Sequence, residues 1–146
     1  NVLYNISDFC INISYAEGFG LGTLEAMMTG TPIIAQTTGG LTRQVIDHRD
    51  GTENGVALQT EFRTLVGSQG VPYIYEDYVS TETTAQGIMK IYELSPSEKK
   101  VLSEKVLEYV DSEFKYENMI DAWDKTLEST IQNWKENYDR YIVQTY

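Results

Sequence analysis

Two carboxylates, Glu17 and Glu25, are separated by seven residues, three of which are the glycines Gly18, Gly20 and Gly22. Glycines let backbone amides approach a ligand closely, which suits phosphate, whereas two acids at the same place repel it. The acids therefore suit hydroxyls, which they accept as hydrogen-bond donors. A ligand that brings phosphate and several hydroxyls together is a sugar nucleotide. Taken alone, the pair also fits two solvated acids near a helix start, where the helix dipole favours negative charge. The glycines alone fit simple turn geometry.

The flanking segments give the motif its setting. Residues 9–14 (FCINIS) read as a buried strand, and 23–28 (TLEAMM) as a helix closed by Gly30. The glycine loop then lies at the carboxyl end of a strand, the edge of an open α/β sheet where ligands bind. Residues 33–35 make a second short buried strand and 37–40 a second loop at the same edge. A short helix over 41–46, a turn over 50–55 and a strand over 56–58 follow, an alternation that indicates parallel pairing. The pattern weakens over 59–70, a surface insertion or part of a ligand pocket, and 71–75 reads as a further extended segment.

Three helices complete the chain. Ser80 caps the first, with Ala85, Ile88, Met89 and Tyr92 as its inner face. Ser95, Pro96 and Glu98 form a capping box at the start of the second, whose inner face is Leu102, Val106, Tyr109 and Val110. The third carries Tyr116, Ile120, Trp123, Leu127, Ile131, Trp134, Tyr138 and Ile142. Packing on the chain's own sheet accounts for its first half; from Trp134 onward the stripe calls for another partner.

The stretch Ile13-Ser14-Tyr15-Ala16-Glu17-Gly18-Phe19-Gly20-Leu21, then Leu24-Glu25-Ala26-Met27, Gly30-Thr31-Pro32-Ile33-Ile34-Ala35 and Gly39-Gly40-Leu41, closely resembles the nucleotide-sugar half of retaining glycosyltransferases with the two-domain GT-B fold. The match runs in register over about 3–58 and is loose beyond. The resemblance implies an α/β fold, part of a Rossmann-like doubly wound parallel sheet followed by C-terminal helices. It implies a donor-binding domain over 1–128 and a helix over 129–146 that crosses toward an acceptor domain absent from this chain.

It also implies the roles of individual residues. Glu17 takes the catalytic position, holding the donor sugar by its hydroxyls. Gly18, Phe19, Gly20 and Leu21 lie against the diphosphate, and Glu25 holds the ribose. Gly39 and Gly40 divide between a plain turn and a loop near the donor sugar. The implied reaction moves a hexose from a nucleotide-diphosphate sugar, such as a GDP- or UDP-hexose, to a glycan, lipid or protein acceptor, with retention and without a cofactor. Two other classes stay open: a non-catalytic sugar-nucleotide or carbohydrate binding module, and a sugar-nucleotide epimerase.

Composition sets further bounds. With 11 basic and 22 acidic residues the net charge is −11, which argues against nucleic acid as a partner. No Lys or Arg precedes Arg43, so the glycine loop meets phosphate with backbone groups alone. The Arg and Lys that grip the diphosphate in similar enzymes fall before Asn1, and the chain, which begins without Met, reads as a fragment. The single cysteine, Cys10, reads as a small buried hydrophobe and His48 as a surface residue. No His, Cys and carboxylate cluster has metal-ligand spacing, so no metal is expected. With no signal sequence and no apolar run near ~20 residues, the expected location is cytoplasmic.

Overall fold

The computed structural model describes residues 2–138. The described chain divides between Asp111 and Ser112 into two compact units.

The first unit is built on three parallel strands, β1 (Cys10–Asn12), β2 (Ile33–Gln36) and β3 (Gly55–Leu58), in the order β1-β2-β3. Cys10 aligns with Ile33, and Ile33 with Gly55. Every residue of β2 is buried, as an apolar run with a neighbour on each side should be. The first strand is shorter and more exposed than its sequence suggests. It pairs with β2 alone, and Ile11 stays 40% exposed. Cys10 is accordingly half-buried, and burial still pushes its thiol above the usual range.

Short helices α1 (Val2–Asn5), α2 (Leu21–Met27) and α3 (Leu41–Val45) connect this sheet. Next comes a feature the sequence reading left as a weak segment. Strands β4 (Phe62–Ser68) and β5 (Val71–Tyr78) form a separate antiparallel hairpin in which Phe62 pairs with Tyr78 and Arg63 with Asp77. A bulge falls between Val66 and Ser68, where Gly67 makes room for Tyr73: a Cβ there would lie 2.8 Å from the tyrosine ring.

Helix α4 (Thr81–Tyr92) is capped by Ser80, whose hydroxyl accepts the Thr83 amide at 3.2 Å. Its inner face is not the one expected. Gly87 and Ile91 are buried, whereas Met89 and Tyr92 are exposed. Glycine decides this rotation. A Cβ on Gly87 would sit 2.7 Å from Leu58 Cδ2, so the helix reaches β3 at the one position with no side chain. Ile91 thereby joins Ile34, Val56 and Leu58 in a core flanked by Phe9, Val79, Ile88, Leu94 and Leu102. Complete burial of each aliphatic side chain there is worth roughly 1.5–3 kcal/mol.

Helix α5 (Pro96–Glu113) starts with the expected capping box: the Ser95 amide donates to Glu98 Oε2 at 2.8 Å, and the Glu98 amide donates back to Ser95 Oγ at 3.3 Å. Val106, Tyr109 and Val110 are buried, and Tyr109 donates its hydroxyl to the Arg43 carbonyl at 2.5 Å.

The second unit contains α6 (Tyr116–Asn137). None of its residues is buried. Tyr116, Ile120, Trp123, Leu127, Ile131, Trp134 and Tyr138 are all exposed, and the rings of Trp134 and Tyr138 meet at 4.7 Å. Ile142, and with it the end of the 129–146 segment, lies outside the described residues. No helix among the described residues is long and apolar enough to cross a membrane.

Candidate functional site

The carboxyl ends of β1 and β2 carry two loops, 13–20 and 37–40, whose backbones touch. Gly39 has φ +48°, and a Cβ there would lie 1.7 Å from the Glu17 carbonyl oxygen. At Gly40 a Cβ would meet Phe19 Cα at 2.6 Å and the Gly18 carbonyl oxygen at 2.8 Å. These two glycines are thus required by the contact of one loop with the other. The Gly40 amide donates to the Glu17 carbonyl at 3.4 Å.

The glycine loop is held by its carbonyls. Gln44, fully buried on α3, donates its side-chain amide to the Phe19 carbonyl at 2.6 Å and to the Gly20 carbonyl at 3.2 Å. The buried Thr23 hydroxyl lies 2.8 Å from the Gly20 carbonyl and 2.5 Å from Gln44 Oε1, sharing its one proton between two acceptors. Gly20 is left-handed at φ 87° and N-caps α2; a side chain there would strike Leu41 at 2.5 Å. Gln44 gave no signal in the sequence, because a glutamine in a five-residue helix looks like any solvated residue.

The two acids stand in different settings. Glu17 is half-buried within the loop, and its carboxylate has no hydrogen-bond or ion-pair partner among the described residues. Glu25 is exposed, just over one turn into α2, and accepts the Tyr4 hydroxyl at 3.3 Å on Oε2. Tyr4, Glu25, Met28 and Thr29 line a pocket of about 410 Å³. The Tyr4 backbone is tied down there, since its carbonyl accepts the buried Thr31 hydroxyl at 2.8 Å. Burial and the neighbouring Glu25 carboxylate raise the Tyr4 phenol above its usual range. Nothing in the sequence pattern assigned Tyr4 to the site.

Phe19 and Leu21 are exposed at the loop surface, as is Gly18, where a Cβ would meet nothing within 4 Å. His48 is exposed in the connection after α3, at the opposite end of the strands from both loops. No group of three or more His, Cys, Asp or Glu among the described residues could hold a metal ion. A larger apolar groove of about 500 Å³ lies where the start of β3 meets α4 and α5, and no residue of either loop lines it. Chemistry, rather than size, therefore picks out the Glu17 and Glu25 region.

Gln36, at the carboxyl end of β2, is fully buried with neither side-chain polar atom bonded to protein among the described residues. The hairpin also reaches the site. Thr38 donates to Asp77 Oδ2 at 2.7 Å, and the Asp77 amide donates to the Tyr15 carbonyl at 2.7 Å.

Residues 1–65 match the model of the family described as Glycosyl transferases group 1. The chain is 45% identical over 49 residues to D-inositol 3-phosphate glycosyltransferase 2 of Catenulispora acidiphila, a match covering 34% of this chain and 12% of that protein. It is 33% identical over 109 residues to the D-inositol 3-phosphate glycosyltransferase of Rhodococcus jostii, covering 64% of this chain and 23% of the relative. Among solved structures, sucrose-phosphate synthase from Thermosynechococcus elongatus superimposes with a TM-score of 0.66 at 25% identity, over 90% of this chain and 27% of that one. The fold resembles that of a GT-B glycosyltransferase domain, and residues 1–65 are similar in sequence to the glycosyl transferases group 1 family. It spans only a fraction of the length of these relatives, 12% and 23% of the two enzymes named.

Proposed function

We propose that this chain is the donor-binding portion of a retaining glycosyltransferase that moves a hexose from a nucleotide-diphosphate sugar to a glycan, lipid or protein acceptor. The observation that carries this reading is the glycine loop itself. Its Glu17, Phe19 and Gly20 carbonyls are all engaged by the β2–α3 side of the sheet, so the loop is anchored through its acceptors. An acidic chain with no Lys or Arg before Arg43 offers phosphate backbone amides instead of cations. The diphosphate lies against the amides of Gly18 to Leu21, which stabilise negative charge as the sugar–phosphate bond breaks.

Glu17 accepts hydroxyls of the donor sugar and holds the ring beneath the acceptor. Its half-buried carboxylate, with no protein partner among the described residues, has its lone pairs available for that task. Glu25 takes the two ribose hydroxyls of the nucleotide, with Tyr4 steadying one carboxylate oxygen. Gly39 and Gly40 let the second loop close against the Glu17 segment. The acceptor is bound by a preceding N-terminal domain, and no cofactor or metal is used.

The test is a thermal-shift screen of GDP-, UDP- and ADP-sugars on the full-length protein that carries this chain, followed by detection of transferred sugar with and without EDTA. Stabilisation by one nucleotide class, and transfer that survives chelation, is expected. No stabilisation by any of them, or loss of transfer that added metal restores, contradicts the reading.

A further inference from the structure

We propose that Asp77 is a positioning residue that latches the β4–β5 hairpin onto both loops of the site and fixes where Glu17 stands. The inference rests on the donor-binding reading for its effect on catalysis, and on geometry alone for the latch.

The Asp77 side chain is 4% exposed, and three side-chain donors converge on it. Arg63, opposite it in the hairpin, donates Nε to Oδ1 at 2.5 Å and Nη2 to Oδ2 at 3.0 Å. Thr38 donates to Oδ2 at 2.7 Å, and the Asp77 main-chain amide reaches the Tyr15 carbonyl at 2.7 Å. A buried carboxylate is costly unless it is paired and hydrogen-bonded, and here the pairing is with a fork of two parallel N–H groups. The Arg63 guanidinium holds the carboxyl below its usual range, so the latch is charged at neutral pH.

The partners are what turn a hairpin ion pair into a device. Tyr15 stands two residues before Glu17, and Thr38 directly precedes Gly39, whose backbone rests on the Glu17 carbonyl. One residue therefore grips both stretches of backbone between which Glu17 is held, the Thr38 segment through its carboxylate and the Tyr15 segment through its main-chain amide. The base of the hairpin is rigid in its turn. The Tyr15 and Tyr78 rings meet at 4.3 Å, and Phe62 stacks on Tyr78 at 4.7 Å with an interplanar angle of 3°. On the other side Glu61 accepts the Ser80 amide at 3.1 Å and the Ser80 hydroxyl at 2.7 Å, tying the hairpin to the start of α4. None of these bonds touches α2, where Glu25 sits. The latch thus acts on the sugar-holding acid and leaves the ribose-holding acid alone.

The experiment uses the full-length protein with Asp77→Ala, Arg63→Gln, and Tyr73→Ala as a hairpin control away from the latch. Arg63→Gln removes two of the three side-chain donors without emptying the buried site, and so serves if Asp77→Ala folds poorly. Amide hydrogen exchange without ligand should rise over 15–20 and 37–40 in the two latch variants, stay unchanged over α2, and match wild type in Tyr73→Ala. The kcat for transfer should fall about 10- to 100-fold per folded enzyme, as sub-ångström misplacement of a reacting group does. Nucleoside-diphosphate affinity should stay within about twofold, the split expected when an interaction of the transition state alone is lost. Unchanged loop exchange overturns the latch. So does a fall in nucleotide affinity that parallels the fall in kcat, as general loss of fold produces. A wild-type protein that binds no nucleotide defeats the donor-binding reading instead, and the exchange measurement still decides whether Asp77 holds the loops.

Discussion

Gly39→Ala is the substitution from which the structure yields the sharpest expectation. Two penalties add at this position. The φ of +48° is left-handed, and an L side chain there costs roughly 1–2 kcal/mol. The new Cβ would also lie 1.7 Å from the Glu17 carbonyl oxygen, about half an ordinary contact distance, so one loop must retreat. Forcing a methyl into packed backbone costs a further 1–3 kcal/mol or so, and the total is about 2–5 kcal/mol. Two other glycines separate the contributions. Gly51 has φ +78° with nothing within 4 Å of a Cβ, so Gly51→Ala should show the left-handed penalty alone. Gly18 has neither positive φ nor a neighbour within 4 Å, so Gly18→Ala should stay within about 0.5 kcal/mol of wild type. Urea unfolding of the three variants measures this directly. Equal destabilisation by Gly39→Ala and Gly51→Ala would mean that the two loops do not touch as described. In the full-length protein Gly39→Ala should also lower transfer about 100-fold, since a displacement of about 1 Å at a reacting group has that effect.

Gln36→Met should stabilise the chain by about 1 kcal/mol, because it removes a fully buried amide with no partner among the described residues and keeps its volume; a lower urea midpoint would show that the amide is satisfied by something else. Asp47 is held at about 2, below its ordinary 3.8, chiefly by its hydrogen bond from Arg49. A depressed carboxyl contributes stability above its unfolded value and loses it as pH falls through the folded one. The stability gap between wild type and Asp47→Asn should therefore be full above 3.8 and close as pH approaches about 2. A gap that is constant over that range would contradict the Arg49 pairing.

The parts of the fold that were legible in the sequence are those governed by local rules. The apolar run of β2, the Ser80 cap and the Ser95–Glu98 box each depend on residues within a turn of one another. What escaped depends on pairing at a distance. Arg63 and Asp77 are 14 residues apart and meet only once the hairpin register is set, and that register runs through a bulge at Gly67. The inner face of α4 was misjudged because Gly87 has no apolar weight, although its lack of a side chain is what admits Leu58. In the site, Glu17 and Glu25 were legible by type and spacing. Gln44 and Tyr4 were not, since the glutamine reveals itself only through the loop carbonyl it holds and the tyrosine only through the Glu25 carboxylate it meets. Gly39 and Gly40 sit where loop geometry was anticipated, and the structure adds that their bare backbone rests on the Glu17–Phe19 segment.

The central claim is that the two acids divide the donor between them, and paired kinetics on the full-length protein test it most directly. Glu17→Gln should lower kcat while leaving nucleotide-sugar affinity nearly intact, because its contacts strengthen as charge develops on the sugar. Glu25→Ala should chiefly weaken nucleotide binding, by about 1–3 kcal/mol for the lost charge-assisted hydrogen bonds. Near-wild-type kcat and affinity in both variants would show that the Glu17 to Glu25 loop is not the donor site.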